Sequence, residues 1–321
     1  MLCLLLTVNI FAGEGFNKAG RTSLQFLKIG IGARQAALGE ACIANVHDVS
    51  AVFWNPAGII GIPHAEAAFN YTKWFGDMDF TSGAIGFRLG DYGVGAISYI
   101  SLNYGQLQEA LVTSPTGHMD TRTGDTFSGK DLAIGISYAR SLTSNFSIGV
   151  SIKYIQEDLF TYTSSLWGFD IGTLYDTGWK GIRLAMSAQN FASQARWLHT
   201  GAEERQSYEI PLLYRIGWSI DLLGAEDLFL GGRKEHQRLT FNMDAIHTND
   251  YAERLHLGME YWLFDLFTIR SGYRFNYEEG NLSFGGGLKY QIRSITLKID
   301  YAYVNYDFLN SPHRFSLCVT F

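Results

Sequence analysis

From about residue 63 to the end of the chain, apolar and polar side chains alternate with a period of two, as in β-strands with two unlike faces. In segment 294–303, Leu297 and Ile299 share one face, while Lys298 and Asp300 share the other. About fourteen such segments are predicted, at 63–73, 79–90, 93–104, 131–140, 146–157, 165–175, 181–191, 213–222, 238–247, 253–264, 267–275, 282–290, 294–303 and 314–321. The pattern predicts an all-β chain with an antiparallel sheet that has one polar and one apolar side.

The length of these segments favours a closed barrel that crosses a membrane. Most of them are near the ~9–11 residues that a tilted strand needs to span a bilayer. Lipid offers no hydrogen bonds, so a sheet in a membrane has to close on itself. An inward polar face also keeps Arg and Lys away from lipid, where each would cost about 2–4 kcal/mol at the bilayer midplane. A soluble β-sandwich is the alternative, but it does not explain an apolar face on nearly every strand.

The links between the predicted strands alternate in length. Links after even-numbered strands are mostly short, such as 91–93 and 265–266, whereas two links after odd-numbered strands, 105–130 and 192–210, are long and polar. Bacterial outer-membrane barrels have this asymmetry, with short periplasmic turns and long external loops. It predicts that both chain termini lie on the periplasmic side. One link, 223–237, is long where a short one is expected.

Residues 13–62 do not alternate, and we expect them to form a lead-in followed by a hatch inside the lumen of a barrel made by residues 63–321. Stretch 24–62 is rich in Gly and Ala, which permit close packing. Asp48 is placed to cap a short helix over 49–54 by accepting backbone N–H bonds. Pro56 disfavours helix at Asn55 and therefore ends this short helix.

Residues 1–12 are predicted to be the remnant of a signal peptide, because Met1–Val8 is largely apolar. A basic segment before it is missing, since the first positive charge is Lys18. A short buried strand is the alternative. The three cysteines are widely spaced and predict neither a disulfide framework nor a metal site.

Composition narrows the classes of function. Aromatic residues make up 15% of the 321 residues and charged residues 17%, which suits a barrel with aromatic girdles. The net charge of −6 argues against a nucleic-acid partner. The chain has no histidine spacing typical of zinc, no dinucleotide fingerprint, no P-loop and no Gly-x-Ser-x-Gly motif. We therefore predict no metal, no cofactor and no enzymatic activity.

Two features resemble a known family. The first is the N-terminal block Phe26–Arg34, Ala36–Ala41, Asp48–Ser50 and Trp54–Gly58, which is similar to the signature of the PorV/PorQ family in the wider FadL-like superfamily. The second is the last segment, whose final Phe321 resembles the signal that the barrel assembly machinery recognises. Glu40 departs from the family, in which small residues are more usual at that position.

The resemblance implies a fourteen-stranded barrel in the outer membrane of a Gram-negative-type bacterium, with an N-terminal hatch. PorV-like proteins are partners of the type IX secretion system and hold secreted cargo at the cell surface, and this is the main prediction. FadL-like proteins pass hydrophobic small molecules inward, and this is the alternative. The implied partners are the bilayer, the assembly machinery, and either a translocon with its cargo or a hydrophobic molecule. The implied hatch motif consists of Arg34, Gly39, Asp48, Ser50, Asn55, Pro56, Ala57 and Gly58.

Two further groups of candidates follow from position in the pattern. Inward charges are expected to pair with each other or with the hatch, because burying an unpaired charge is costly. These candidates are Arg88, Arg215, Arg270, Arg274, Lys298, Asp300 and Arg314. A sharper hypothesis is that some of them contact Asp48 or Asn55 and hold the hatch shut. In the long links, the candidates for a mouth that binds ligand or cargo are Leu107, Leu111, Trp197 and Leu198, with plain solvated loops as the alternative.

Overall fold

A closed antiparallel sheet dominates the computed structural model, which describes residues 20–110, 122–199, 202–224, 228–230 and 236–321. Its strands are β1 Ala65–Lys73, β2 Asp79–Arg88, β3 Val94–Ala110, β4 Arg122–Ser141, β5 Phe146–Leu159, β6 Tyr162–Asp176, β7 Ile182–Ala192, β8 Ala195–His199, β9 Ala202–Tyr208, β10 Leu213–Leu223, β11 Gln237–Thr248, β12 Arg254–Leu263, β13 Phe267–Phe275, β14 Leu282–Ile292, β15 Ile295–Val304 and β16 His313–Thr320. Fourteen of them pair in a ring, in which β7 pairs with β10 and β16 returns to β1. The predicted fourteen-stranded barrel is confirmed.

The long links contain more strand than the alternation predicted. β8 and β9 form a hairpin within the link 192–210, and β8 pairs with β6 through Tyr162 and His199. β3 and β4 continue past the predicted ends, and their last pair joins Ala110 to Arg122.

Side chains on the two faces of the barrel differ as the alternation predicts. The outer face is apolar and exposed, as at Ile136 (66% exposed) and Ile269 (70%). The inner face is polar and buried, as at Ser137 and Arg270. Exposed apolar bands of this kind are what membrane-spanning barrels present to lipid.

The two ends of the barrel are distinct. One end, here called the short-turn end, carries the links 142–145 and 264–266 between neighbouring strands. The opposite end, the long-loop end, carries the β8–β9 hairpin. The C-terminal Phe321 lies at the short-turn end, where its N–H donates to the carbonyl oxygen of Ala65 at 2.9 Å.

The first described residues lie at the long-loop end, whereas the sequence predicts that both chain termini lie on the side of the short turns; the N-terminus itself lies outside the described residues. Thr22 forms a bridge with Glu209, and its hydroxyl donates to Asp250 Oδ2 at 2.9 Å. The lengths of the links orient the strands, but they carry no information about a segment that runs through the barrel. The predicted signal remnant 1–12 and residues 13–19 lie outside the described residues.

Residues 24–62, here called the lumen segment, are built from one helix and short 3₁₀ turns. The helix α1 spans Ala33–Ala37, and 3₁₀ turns span Gln25–Lys28, Val49–Phe53 and Pro56–Gly61. Asp48 accepts a bond from the N–H of Ser50 and Asn55 accepts one from Ala57, so both side chains cap the turns that follow them. The predicted cap at Asp48 is confirmed, on a 3₁₀ turn. No helix in the described residues is long and apolar enough to cross a membrane.

Glycines on the inner faces of distant strands let the lumen segment approach the wall from several sides. A Cβ on Gly272 of β13 would collide with Gly39 and Leu38, and a Cβ on Gly149 of β5 would collide with Pro56 and Ala57. β5 and β13 lie on different sides of the ring. The segment therefore packs inside the barrel, between opposite walls.

Candidate functional site: the lumen and its N-terminal segment

A buried cluster of charges joins α1 to β12, β13 and β15. Arg34 donates from Nε and Nη2 to the two carboxylate oxygens of Glu260, each at 2.9 Å. Arg270 donates to Glu260 Oε2 at 2.6 Å and to Asp300 Oδ1 at 2.5 Å. Two parallel bonds between a guanidinium and a carboxylate fix orientation as well as position. The cluster therefore anchors the lumen segment to one side of the wall.

Asp48 of the lumen segment lies beside Lys298. The Lys298 Nζ is 3.9 Å from Asp48 Oδ2 and 3.5 Å from Glu66 Oε1. Burial opposes ionisation of Asp48, but the charges of Lys298 and Arg34 outweigh it and hold the pKa of Asp48 below its usual value. The contact agrees with the hypothesis that an inward charge meets Asp48.

Asn55 meets backbone groups. Its Nδ2 donates to the carbonyl oxygens of Ile43 at 3.1 Å and Thr173 at 3.0 Å, and its Oδ1 accepts from the N–H of Ala57 at 3.1 Å. The side chain is fully buried. Asn55 therefore ties two parts of the lumen segment to β6, and the hypothesis that a charged side chain contacts it is not what the structure shows.

The other residues of the predicted motif serve close packing. Gly39 has a φ of +61°, and a Cβ there would lie 2.8 Å from the backbone nitrogen of Tyr273. Ser50 accepts a bond from Gln35 Nε2 at 2.9 Å. Pro56 and Ala57 cover Gly149, and Gly58 leaves no room for a side chain beside the Val46 carbonyl.

Glu40, the departure from the family pattern, has a partner on the wall. Arg274 of β13 donates from Nη1 to Glu40 Oε1 at 3.1 Å. Burial opposes ionisation of Glu40, but the charge of Arg274 outweighs it and lowers the pKa of Glu40. The carboxylate thus forms a second link between the segment and β13.

The remaining inward candidates touch the lumen segment at different depths. Arg215 stacks over the ring of Trp54 at 5.0 Å, and Arg314 donates to the carbonyl oxygen of Gly30. Arg88 donates from Nε to the carbonyl oxygen of Ile62 at 2.8 Å. Arg88 is exposed at the rim of the short-turn end. The prediction that Arg88 lies within the lumen is therefore wrong. Alternation gives the face of a residue but not its depth along the barrel.

The loop candidates do not form one mouth. Trp197 lines a cavity of about 490 Å³ at the long-loop end, together with Tyr162 and Tyr208. Leu198 lies next to it on β8, with its side chain 41% exposed, while Leu107 lies on β3 and does not line this cavity. Leu111 lies outside the described residues.

Part of the inner face of the barrel is apolar, although β4 to β6 also carry buried charges at Asp131, Lys153, Glu157 and Asp170. Inward side chains of β2 to β6 form this apolar inner wall, which contains Phe80, Ile100, Leu102, Ala133, Ile155 and Leu166. Leu24, Phe26 and Ile31 of the lumen segment cover it. Hydrophobic burial here is therefore provided by the segment itself.

Two polar cavities border the lumen segment. At the short-turn end, a cavity of about 370 Å³ is bordered by Arg34, His47 and Lys298. At the long-loop end, a cavity of about 280 Å³ is bordered by Arg274 and Arg314. Arg34, Arg270 and Asp300 of the charge cluster also border the first cavity.

Sequence reasoning missed two anchoring carboxylates. Glu66 of β1 accepts bonds from the N–H of Val49 and the hydroxyl of Thr320, each at 2.9 Å. Asp250 accepts a bond from Lys28 Nζ at 2.5 Å. Glu66 lies four residues before Asn70 on the inward face of β1. The alternation of the strand could therefore have identified Glu66 as an inward carboxylate. Asp250 lies in a link, where no periodic signal exists.

Comparison with known proteins identifies the fold. No known family profile matches the sequence, and no curated protein matches it. Among solved structures, the toluene transporter TbuX of Ralstonia pickettii is similar with a TM-score of 0.58 and 13% identity, over 90% of this chain and 97% of that one. The toluene transporter TodX of Pseudomonas putida is similar with a TM-score of 0.59 and 11% identity, over 90% and 97%. A FadL homologue of Pseudomonas aeruginosa gives 0.55 and 11%, over 91% and 98%. At these identities the likeness shows a shared fold: this chain has the architecture of FadL-type barrels.

Proposed function

We propose that this protein is an outer-membrane channel for hydrophobic small molecules. The observation that carries the proposal is the likeness to the toluene transporters over nearly the whole of both chains. Both proteins are transporters of toluene, a small apolar compound.

The outer surface supports a place in a membrane. Its exposed apolar side chains include Ile97 (60% exposed) on β3, and comparable residues follow on the other strands. A closed ring leaves no strand edge unpaired, which lipid requires. Among membranes, β-barrels of this kind belong to the outer membrane of Gram-negative-type bacteria.

The apolar inner wall supports the proposal that the transported compound is a hydrophobic small molecule. A hydrophobic molecule gains roughly 25 cal/mol for each Å² that it removes from water. Phe26 and Leu24 now occupy that wall. Passage along it therefore requires the first turns of the lumen segment to move, which breaks the Lys28–Asp250 ion pair, while Arg34 and Glu40 hold the rest of the segment against β12 and β13.

The secretion partnership stays a prediction that rests on the N-terminal block. A FadL-type barrel is compatible with both functions, but the similar structures TbuX and TodX are toluene transporters. Hydrophobic transport, the alternative from the sequence, is therefore the better supported function.

Affinity purification from outer membranes in mild detergent, followed by mass spectrometry of proteins and small molecules, separates the two functions. We expect small hydrophobic compounds to copurify with the protein. Copurification of a translocon or secreted cargo, without such compounds, would overturn the proposal in favour of secretion.

A further inference from the structure

The cavity of about 280 Å³ at the long-loop end has an unusual balance of charge. It is lined by five cationic side chains and one carboxylate, Glu40, and the cations are Lys28, Arg215, Arg254, Arg274 and Arg314. Two of these cations have partners, because Arg274 pairs with Glu40 at 3.1 Å and Lys28 pairs with Asp250 at 2.5 Å. Within the described part of the chain, the other three have no carboxylate oxygen within 4.0 Å.

Two of the three remaining guanidinium groups are buried with a donor left over. Arg215 is 7% exposed and Arg314 is 1% exposed, and the Nε of each has no hydrogen-bond partner among the described residues. Glu40 is the only carboxylate among the described residues that line the cavity, so these cations share one counter-charge, and burial of the excess positive charge is costly. An anion in this cavity would supply the missing acceptor.

Aromatic rings hold the guanidinium groups in place. Arg254 lies 4.2 Å from the ring centroid of Tyr251 and 4.0 Å from that of Tyr277. Arg314 lies 5.4 Å from the centroid of Trp74. A guanidinium that stacks on a ring keeps its N–H edge free to donate. Trp74, Tyr251 and Tyr277 also line the cavity, so a ligand there would meet aromatic as well as cationic side chains.

We infer that this cavity binds small aromatic carboxylates, with the carboxylate on Arg254 and Arg314 and the ring against Tyr277 and Trp74. The volume is near the lower end of the ~300–1,000 Å³ of small-molecule sites, which suits a single-ring acid better than a long acyl chain. The inference deepens the proposed function, on which it rests for the transport step. It extends the compounds taken by the channel from neutral hydrocarbons to organic anions.

The test is binding to the purified full chain in detergent, measured by calorimetry with benzoate and with benzyl alcohol. Both compounds carry one ring, and only benzoate carries a charge. We expect benzoate to bind more tightly, and Arg254→Gln to weaken its binding by about tenfold, as loss of a charge-assisted hydrogen bond predicts. The matched control is Arg238→Gln, which removes an exposed guanidinium stacked on Trp262 at the short-turn end and should leave binding unchanged.

Equal binding of benzoate and benzyl alcohol would overturn the inference, and so would equal effects of the two variants. Should Arg254→Gln fail to fold, the affinity of the unchanged protein for benzoate, measured at several salt concentrations, tests the inference instead. Affinity for benzoate that falls with salt supports a charged site, and affinity that ignores salt contradicts it.

Transport assays keep this inference apart from the proposed function. If the protein binds benzoate tightly but carries no small molecule across the outer membrane, the inferred binding site stands and the proposed channel function is refuted. If the protein takes up toluene but does not bind benzoate, the channel function stands and the inferred binding site is refuted.

Discussion

At the residue scale, the fixed point of the lumen segment is the guanidinium of Arg34. It donates two bonds to Glu260 and further bonds to the carbonyl oxygen of Asn45, so it joins both the segment to itself and the segment to β12. Removing one member of a buried pair leaves the other without its counter-charge. Here Arg270 still bonds to Glu260, which softens the loss.

We expect Arg34→Gln to loosen the lumen segment while the strands stay paired. The expected cost is up to about 3 kcal/mol, at the lower end of the range for a broken buried pair. Ion conductance across planar bilayers should rise, and the temperature at which the folded barrel is lost should fall. Lys73→Gln is the control, since the Lys73–Asp79 pair is exposed and such pairs contribute about 0–1 kcal/mol. Equal conductance of the two variants would refute the role given to Arg34.

Glycine at 272 is required by the approach of the lumen segment. Gly272→Ala places a methyl group against the backbone of Leu38 and Gly39, and overpacking of this kind costs about 1–3 kcal/mol. Gly95→Ala on β3 is the control, because its Cβ would meet only Leu89 at an ordinary 3.6 Å. We predict a lower melting temperature for the first variant alone. Two equal melting temperatures would mean that the segment does not press on β13.

His47 makes the lumen segment sensitive to acid. Burial, and then the charges of Arg183 and Arg34, lower the pKa of His47 to about 4 from an ordinary value of 6.5. The unfolded chain therefore binds more protons than the folded one between pH 6.5 and 4, and stability falls as pH falls through that window. Above pH 6.5 the group contributes no pH dependence.

We expect His47→Gln to flatten this part of the stability profile. Melting temperatures at pH 7 and pH 4.5 should differ less in the variant than in the unchanged protein. The pKa values of Glu40 and Asp48 are lowered in the folded protein. The stability that these two carboxylates contribute is therefore lost only at lower pH. An identical pH difference in both proteins would show that His47 is not the sensitive group.

At the element scale, the decisive property of each strand is which face meets the surroundings. On β15, Ile299 is 48% exposed on the outer face, and Thr296 faces the lumen. Ile299→Arg should impair assembly in the membrane, because Arg costs about 2–4 kcal/mol near the bilayer midplane. Thr296→Arg should be tolerated far better. The amount of folded protein in outer membranes measures both, and equal amounts would disprove the assignment of faces.

The barrel strands were predictable because nearly every one of them has two unlike faces over its membrane-crossing length. The prediction failed where that constraint ends. β4 was predicted at 131–140 and runs over Arg122–Ser141, and the β8–β9 hairpin was missed. Strand beyond the lipid has no apolar face to reveal it, so alternation cannot find it.

Within the site, local contacts were predictable and distant ones were not. Asp48 caps a turn through Ser50, two residues away, and sequence spacing alone suggests it. The partner of Glu40 is Arg274, 234 residues away, and depends on the register of the barrel and the path of the segment through it. Alternation placed Arg274 inside, but it could not name its partner.

At the scale of the whole molecule, the lumen contains an apolar inner wall and, apart from it, a cluster of charges that anchors the lumen segment. β2 to β6 supply the apolar inner wall, and β12, β13 and β15 supply the charges that anchor the lumen segment. The turns that cover the apolar inner wall are held through the Lys28–Asp250 pair, whereas the rest of the segment is held through both Arg34 and Glu40. This arrangement suits passage of a hydrophobic molecule along one wall.

Uptake of labelled toluene by cells that carry the protein in their outer membrane tests this account most directly. We predict uptake several-fold above that of cells without the protein. Ile100→Asp, which puts a charge on the apolar inner wall, should return uptake close to that background, while Asn70→Asp at a polar position of the inner face should not. Uptake no faster than in cells without the protein, although the protein is folded in the outer membrane, would contradict the channel that the fold supports.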